Sequence, residues 1–298
     1  MRIHAICLAL NEELFITETL KVLYPFCSGI SVLSQYDRDW YGRTVKPDQT
    51  VPRVLSFPDP QGKIHLVIRR WKDEAATRNH EMLALNPRCA MHIMPHGIPK
   101  DQIIEFHSRP DYFLIVDADE IYDVDTFGNV VDYLSKRRPR GMRMLGYNYV
   151  QTWNRRVLPT TDRFQHFGFI KPGVLFEFLR IVSWNESRLS KLLTKLHLPD
   201  ISAQLYGFID CPENVGVFHH AWLIGSQQRL GFKVERSGHR SDIMNAWLPR
   251  ALSTPTVFVP TSELPRNIRE GHWPEYFFER EEAPQPSPLH SSNLADTA

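Results

Sequence analysis

The segment DYFLIVDADEIYD, from Asp111 to Asp123, joins an apolar run directly to a group of acidic residues. The run from Tyr112 to Val116 is short and continuous, which is typical of a strand buried on both faces. The acidic residues that follow it are Asp117, Asp119, Glu120 and Asp123. Closely packed carboxylates raise one another's pKa unless a positive group lies among them. A hard divalent cation with oxygen ligands would supply that charge, and a solvated acidic loop is the simpler alternative.

The segments before this strand alternate between strand and helix patterns. We expect strands at Ile3–Leu10 and Gly29–Asp37, with a helix between them in NEELFITETLKVLYPF. A third strand is predicted in KIHLVIRR and a second helix in DEAATRNHEMLAL. Strands joined by helices through short connections form parallel, doubly wound sheets, so an α/β protein is predicted.

The remaining segments give weaker patterns. Arg38–Gln61 contains Pro47, Pro52, Pro58 and Pro60 without periodicity, so a long loop is expected there. Aromatic residues at alternate positions predict a single strand over Gly141–Trp153. Further strands are predicted in FQHFGFI, VLFEFLRIV and NVGVFHH, and helices in SRLSKLLTKL, SQQRLGFKVERSGH and SDIMNAWLPRAL. The polar, proline-rich tail at 281–298 is predicted to be disordered.

The composition excludes several classes of protein. In 298 residues, 35 basic side chains nearly balance 34 acidic ones, so nucleic acid is not an expected partner. The four cysteines are scattered and form no C-x-x-C pair, which argues against a zinc knuckle or a disulfide framework. The first apolar stretch is too short for a signal peptide or a membrane span. We therefore expect a cytoplasmic protein with, at most, a peripheral association with a membrane.

Polar side chains follow each predicted strand of the first half. They are Asn11 and Glu12, Asp37 and Asp39, Arg69 to Trp71, and Asp117, Asp119 and Glu120. In an open parallel sheet, ligands bind at this carboxyl edge. No G-x-G-x-x-G follows the first strand and no P-loop motif occurs, which argues against those two nucleotide-binding classes. A haloacid-type hydrolase is also disfavoured, because its nucleophile strand comes early and a Thr or Val stands where this chain has Ile121.

Three segments resemble family-2-type glycosyltransferases with the nucleotide-diphospho-sugar transferase fold, called GT-A. They are AICLALNEELFITETLKVL, EAATRNHEMLAL and YFLIVDADE, the last of which matches the Asp-x-Asp strand. DADEIYD, MRMLGYNYVQTW and VFHHAWLIGSQQRLGFKVERSGHR are similar to segments of family-17-type N-acetylglucosaminyltransferases. The resemblance implies an α/β GT-A fold with a mostly parallel, doubly wound sheet and helices on both faces. It implies one catalytic domain over 1–280, with a nucleotide-sugar-binding half at 1–135 and an acceptor half at 136–280.

The family's roles transfer to matching residues of this chain. The resemblance implies that Asp119 is the main ligand of Mn²⁺ or Mg²⁺ and that Asp117 contacts either the metal or the ribose. His219 or His220 would complete the metal site, and a polar strand end without a ligand is the alternative for both. The nucleotide would be contacted by Asn11, Asp37, Asp39, Arg78 and Asp117.

An inverting transferase also needs a carboxylate that takes the proton of the acceptor. Glu186 in WNESRLSKLL has the expected position before the final histidine, and Asp210 and Glu177 are the other candidates. An acidic residue in a first helical turn is also stabilised by the macrodipole alone, which is the simpler explanation of Glu186. Aromatic residues that could stack on an acceptor, or simply fill the core, are Tyr147, Tyr149, Trp153, Trp222 and Trp247.

The function predicted from the sequence is metal-dependent transfer of a sugar from a nucleotide diphosphate, expected to be UDP, to a glycan or small-molecule acceptor. A nucleotidyltransferase of the same fold is one alternative, although LALNEE lacks the glycine-rich loop and basic residue that such enzymes carry after the first strand. A non-catalytic relative that binds carbohydrate or nucleotide is the other. A complete metal site would argue against that alternative, and a missing base would argue for it.

Overall fold

The computed structural model describes residues 1–39, 42–71, 73–85, 109–158, 166–178, 181–182, 207–225, 229–230 and 255–279. Within these ranges the chain forms a seven-stranded central sheet, a five-stranded second sheet and a two-stranded hairpin. Helices pack against the central sheet. The predicted Glu186 and the helices expected in SRLSKLLTKL and SDIMNAWLPRAL lie outside the described residues, as does the tail at 281–298.

The central sheet is mostly parallel. Its strands are β1 (Ile3–Leu8), β2 (Gly29–Ser34), β3 (Ile64–Ile68), β4 (Tyr112–Asp117), β6 (Gly141–Met144), β9 (His166–Ile170) and β12 (Phe208–Asp210). They lie in the order β12-β6-β9-β4-β1-β2-β3. Only β9 runs antiparallel to its neighbours, β4 and β6. The carboxyl ends of β1, β2, β3 and β4 therefore lie together at one edge of the sheet.

Helices cover both faces of this sheet. They are α1 (Ile16–Leu23), α2 (Thr50–Leu55), α3 (Glu74–Ala84) and α4 (Phe127–Arg137). A fifth helix, α5 (Arg266–Arg269), and the 3₁₀ turn at Glu275–Phe277 instead contribute Ile268 and Phe277 to a separate core with Tyr149 and Trp153, and another 3₁₀ turn lies at Thr261–Glu263. Side chains of β1 alternate between the faces: Ala5 and Cys7 join the core formed with α1 and α4, and Ile6 and Leu8 join the core formed with α3. The prediction of an α/β protein with a mostly parallel sheet and helices on both faces is confirmed.

A buried polar chain fixes α3 on its face of the sheet. The Ser31 hydroxyl on β2 donates to Glu81 Oε1 of α3 at 2.6 Å, and His4 Nε2 of β1 lies 2.9 Å from the same hydroxyl oxygen. Burial lowers the pKa of His4 to about 3, helped by His65, and burial raises the pKa of Glu81. A neutral imidazole therefore donates through Nε2, and the chain joins β1, β2 and α3.

The second sheet begins where the chain leaves the central one. Its strands are β5 (Glu120–Tyr122), β7 (Gly146–Gln151), β8 (Arg155–Val157), β13 (Phe218–Ile224) and β14 (Thr256–Phe258), in the order β14-β8-β7-β13-β5. The chain crosses from β4 to β5 through Ala118 and Asp119, and from β6 to β7 through Leu145. The prediction of one strand over Gly141–Trp153 is therefore wrong, because the chain changes sheets at Leu145.

Two other predicted elements differ from the structure. Arg38–Gln61 is not an irregular loop throughout, because α2 forms within it; Pro52 lies in the first turn of α2, where a missing N–H is tolerated. VLFEFLRIV is not one strand but the antiparallel pair β10 (Phe176–Phe178) and β11 (Ile181–Val182).

None of the helices in the described ranges combines the length and the apolar character that a bilayer crossing demands.

Candidate functional site

The acidic turn after β4 is held between β1 and α1. The Ala118 amide donates to the Leu8 carbonyl at 2.9 Å, and the Thr19 hydroxyl of α1 donates to the Ala118 carbonyl at 2.6 Å. The Asp117 amide donates to Glu120 Oε2 at 3.0 Å. The turn thus presents the side chains of Asp117 and Asp119 at the carboxyl edge of the central sheet.

Arg78 neutralises Asp117. It lies on α3, is fully buried, and donates from Nη2 to Asp117 Oδ1 at 2.7 Å and from Nη1 to Glu74 Oε2 at 3.1 Å. The Asp117 side chain keeps 31% of its surface exposed, so a ligand can still reach it. Arg78 is therefore not a plain surface arginine of α3. Its contact with a nucleotide stays a prediction.

Asp119 is almost fully buried and has two nitrogen-bearing neighbours. Arg229 Nη2 lies 3.7 Å from Asp119 Oδ2 and 3.1 Å from Glu12 Oε2, which follows β1. His220 Nε2 lies 3.8 Å from the same Asp119 oxygen. The carboxylates of this edge therefore coexist because arginines lie among them, one at Asp117 and one at Asp119.

The two predicted histidines point in opposite directions because adjacent residues of a strand alternate between its faces. His220 pairs in register with Glu120 of β5, which brings its ring to Asp119. His219 lies in the interior, with Nδ1 2.9 Å from the Tyr149 hydroxyl. Burial lowers the pKa of His219 to about 3, and Arg156 contributes. The structure brings His220, and not His219, to the acidic turn.

Asn148 orients His220. The Nδ1 atom of His220 lies 2.9 Å from Asn148 Oδ1 on the neighbouring β7. An amide oxygen only accepts hydrogen bonds, so Nδ1 carries a proton, and in the neutral imidazole the lone pair lies on Nε2, which faces Asp119. A histidine held in this way by a second group is typical of metal ligands.

The donor atoms at Asp119 and His220 fit a divalent cation. Two ligands that each lie about 2.1 Å from one ion are roughly 3 to 4.2 Å apart, and the 3.8 Å between Asp119 Oδ2 and His220 Nε2 lies in that range. Among the described residues, no group of three or more His, Cys, Asp or Glu side chains is arranged to hold a metal. The remaining ligands would therefore come from water or from a phosphate-bearing molecule, as is common for Mg²⁺.

The predicted nucleotide-binding residues after β1 and β2 lie in different environments. Asn11 has a left-handed backbone with φ of 54° and donates from its amide to the Lys46 carbonyl at 3.4 Å. The Asp37 side chain is half exposed beside Arg38. Asp39 is fully buried and accepts from the Arg43 amide at 2.8 Å and from Arg43 Nε at 2.7 Å. Asp39 thus organises its own loop, whereas Asp37 faces solvent.

Asp210 is the one candidate base whose side chain the structure describes, and it does not lie at the acidic turn. Asp210 ends β12, which is three strands away from β4, a lateral separation of about 14 Å. Its carboxylate pairs with Arg143 through Nε at 2.5 Å and Nη2 at 2.9 Å. For Glu177 and Trp222 only the strands on which they lie, β10 and β13, are described.

The aromatic candidates that are fully described belong mainly to the core. Tyr149 and Trp153 are buried, with ring centroids 5.2 Å apart. Tyr147 is partly exposed, and its hydroxyl donates to Glu213. Burial, followed by Glu213, raises the pKa of Tyr147 to about 12. Of the three rings, that of Tyr147 is thus the one that a ligand can reach.

Arg229 and Asn148 are the site residues that sequence reasoning missed. Arg229 occurs in a polar stretch, SQQRL, without a distinguishing pattern. Asn148 lies between Tyr147 and Tyr149 on β7, and the alternation of that strand places it on the face opposite to theirs. Only the Asn148 position carried a signal in the sequence, as a polar residue between two aromatic ones.

No protein-family model matches this sequence, and no curated protein matches it either. Solved structures match at low identity. TarS of S. aureus is 14% identical over 85% of this chain and 43% of its own, with a TM-score of 0.36. TarS 1–349 in complex with UDP-GlcNAc is 12% identical over 85% of this chain and 72% of its own, with a TM-score of 0.40. A third match is glucosyl-3-phosphoglycerate synthase from Mycobacterium tuberculosis, in complex with Mn²⁺, UDP and glucosyl-3-phosphoglycerate. It is 14% identical over 49% of this chain and 44% of its own, with a TM-score of 0.27. This chain spans less than half the length of the full TarS chain that it matches.

Proposed function

We propose that this protein is a GT-A-type glycosyltransferase that moves a hexosyl or N-acetylhexosaminyl group from a nucleotide diphosphate, expected to be UDP, to an acceptor. The observation that carries the proposal is the position of Asp119, whose Oδ2 lies 3.8 Å from His220 Nε2 and 3.7 Å from Arg229 Nη2. This group lies at the carboxyl edge of a mostly parallel sheet, where ligands of such sheets bind. The Asp-x-Asp resemblance supports the same assignment.

The chemistry of the proposed reaction accounts for the residue types present. Breaking the bond between the anomeric carbon and the diphosphate develops negative charge on the leaving group. Mn²⁺ or Mg²⁺, held by Asp119, His220 and the exposed side of Asp117, would stabilise that charge when bound. Arg78 holds Asp117 in place, and Asn148 sets the tautomer of His220 in which Nε2 can coordinate a cation.

Binding of the nucleotide is the first test. We expect calorimetric titration to detect binding of UDP, but not of GDP, in Mn²⁺, and to detect much weaker binding in EDTA. Asp119→Asn should abolish the gain in UDP affinity that Mn²⁺ provides. Asp125→Asn is a matched control, because Asp125 is an exposed carboxylate that pairs with Arg266 at 2.7 Å and follows Asp119 closely in the sequence. If Asp119→Asn binds UDP with the same dependence on Mn²⁺ as the wild type, the proposed metal site is wrong.

Transfer is the second test. The proposal includes an inverting reaction with Glu186 as the base, carried over from the resemblance. Glu186→Gln should bind UDP normally and lose transfer of the sugar, measured with a UDP-sugar and a panel of glycan and small-molecule acceptors. Full activity of Glu186→Gln would exclude it as the base. Formation of a nucleotide sugar from UTP and a sugar phosphate would instead favour the nucleotidyltransferase.

A further inference from the structure

Arg229 joins three separate parts of the candidate site. Its Nη2 lies 3.1 Å from Glu12 Oε2, after β1, and 3.7 Å from Asp119 Oδ2, in the acidic turn. Its Nη1 donates to the backbone carbonyls of Ala221, at 3.4 Å, and Ile224, both on β13. The guanidinium is thus held by charged and neutral acceptors from three chain segments.

The guanidinium of Arg229 is buried, which strengthens its electrostatic interactions with its neighbours. Only 10% of the Arg229 side chain is exposed, and the Glu12 and Asp119 side chains are exposed by 8% and 5%. Its central carbon lies 4.6 Å from the centre of the Phe15 ring, which shields it further from water. Charges this close and this poorly hydrated interact far more strongly than charges at the surface.

A divalent cation on Asp119 would meet this fixed positive charge at short range. Arg229 offsets one of the two negative charges of Asp119 and Glu12, so a cation that arrives alone gains less attraction than two uncompensated carboxylates would give, and it is repelled by the guanidinium. A diphosphate changes this balance because its oxygens carry negative charge that both positive groups can share. Bound together, the cation and the diphosphate each remove the penalty that the other would face.

We propose that Arg229 makes cation binding at Asp119 depend on the nucleotide. The inference rests on the proposed function, because it needs a nucleotide diphosphate as the second ligand. It goes further by assigning to Arg229 a positioning role, in which it acts through Asp119 and Glu12. The coupling is reciprocal, so UDP must tighten Mn²⁺ binding by the same factor by which Mn²⁺ tightens UDP binding.

The test is titration of Mn²⁺ followed by the electron paramagnetic resonance signal of the free ion, on the full chain, with and without UDP. For the wild type we expect UDP to tighten Mn²⁺ binding by about 100-fold. Arg229→Gln should bind Mn²⁺ alone about tenfold more tightly than the wild type, and its UDP coupling should fall by about the same factor. Arg229→Lys keeps one positive charge and should retain much of the coupling.

Arg266→Gln serves as the control, since Arg266 forms an exposed ion pair with Asp125 outside the site. It should bind Mn²⁺ and UDP as the wild type does. A variant that merely damaged the fold would bind Mn²⁺ more weakly, so tighter binding by Arg229→Gln separates the proposed role from a structural one.

Two results would overturn the inference, and they are distinguishable. If wild type binds Mn²⁺ with UDP but Arg229→Gln shows the same coupling factor, the role of Arg229 is wrong and the proposed function stands. If wild type binds no Mn²⁺ even with UDP, the metal site of the proposed function fails and the inference fails with it.

Discussion

Replacing Arg78 with methionine tests whether the acidic turn depends on the arginine behind it. Arg78 is fully buried and is the shared partner of Asp117 Oδ1, at 2.7 Å, and Glu74 Oε2, at 3.1 Å. Methionine keeps most of the volume of the side chain but removes its charge. Arg78→Met should therefore leave two carboxylates without the cation that now lies between them.

The expected loss of stability follows from the burial of each partner. Removing one member of a buried ion pair costs roughly 3 to 5 kcal/mol. The Asp117 side chain is 31% exposed, so water weakens its interaction with Arg78, whereas the Glu74 side chain is only 13% exposed and its interaction is screened less. The buried Nε of Arg78 has no hydrogen-bond partner, and its removal returns about 1 kcal/mol. We therefore expect a net loss of about 3 kcal/mol in the free energy of unfolding.

Urea unfolding at neutral pH, followed by circular dichroism, measures this loss. Arg266→Met is the matched control and should change stability by less than about 0.5 kcal/mol, because its ion pair is exposed. Combining Arg78→Met with Asp117→Asn should recover about 1 kcal/mol or more, since the carboxylate that lost the Arg78 charge is then replaced by a neutral amide.

The assignment of Arg78 as the counter-charge of the turn would be refuted if Arg78→Met lowered the free energy of unfolding by less than about 1 kcal/mol, with the same dependence of that free energy on urea concentration. Simple additivity of Arg78→Met and Asp117→Asn would refute it as well, because residues that do not interact show no coupling.

Three more outcomes are expected. The pKa of His219 in the folded state is lowered from 6.5 to about 3, so the protein should lose stability as the pH falls from about 6.5 towards 3. In urea unfolding at several pH values, His219→Gln should reduce the slope of the unfolding free energy against pH by about 1.4 kcal/mol per pH unit. Ser31→Ala should cost about 1 to 3 kcal/mol in thermal or urea unfolding, because buried Glu81 loses its donor at 2.6 Å; a neutral effect would contradict the buried chain. Asn148→Ala should weaken Mn²⁺ binding in the presence of UDP by about 10- to 100-fold in calorimetry, since His220 loses its orienting acceptor, and equal affinity would exclude that role.

The parts of the fold and site that the sequence predicted depend on local patterns. Apolar runs followed by polar residues predicted the four parallel strands and their shared carboxyl edge, because parallel strands end on the same side. The same reasoning predicted that Asp117 and Asp119 would lie at that edge, whereas Arg78 was expected near a nucleotide only from the family resemblance. The amphipathic pattern of α4, with Phe127, Val130 and Leu134 on one face, was also present in the sequence, although it was not predicted.

The parts that were missed depend on pairings between distant segments. Whether His219 or His220 faces the acidic turn is set by the register of β13 against β5 and β7, which no local pattern reveals. The strand over Gly141–Trp153 was predicted as one because alternation continues through Leu145, while the change of sheet is a tertiary event. The role of Arg229 arises from contacts with Glu12, 217 residues earlier in the chain.

The central claim is that a nucleotide diphosphate and its cation bind at Asp119. Anomalous diffraction from crystals grown with UDP and Mn²⁺ measures this most directly, because it locates the ion independently of any assumed ligand. We expect a Mn²⁺ peak about 2.1 Å from an Asp119 carboxylate oxygen and from His220 Nε2, with the diphosphate oxygens completing the coordination. A Mn²⁺ peak elsewhere, or UDP bound away from the carboxyl edge of the central sheet, would contradict it.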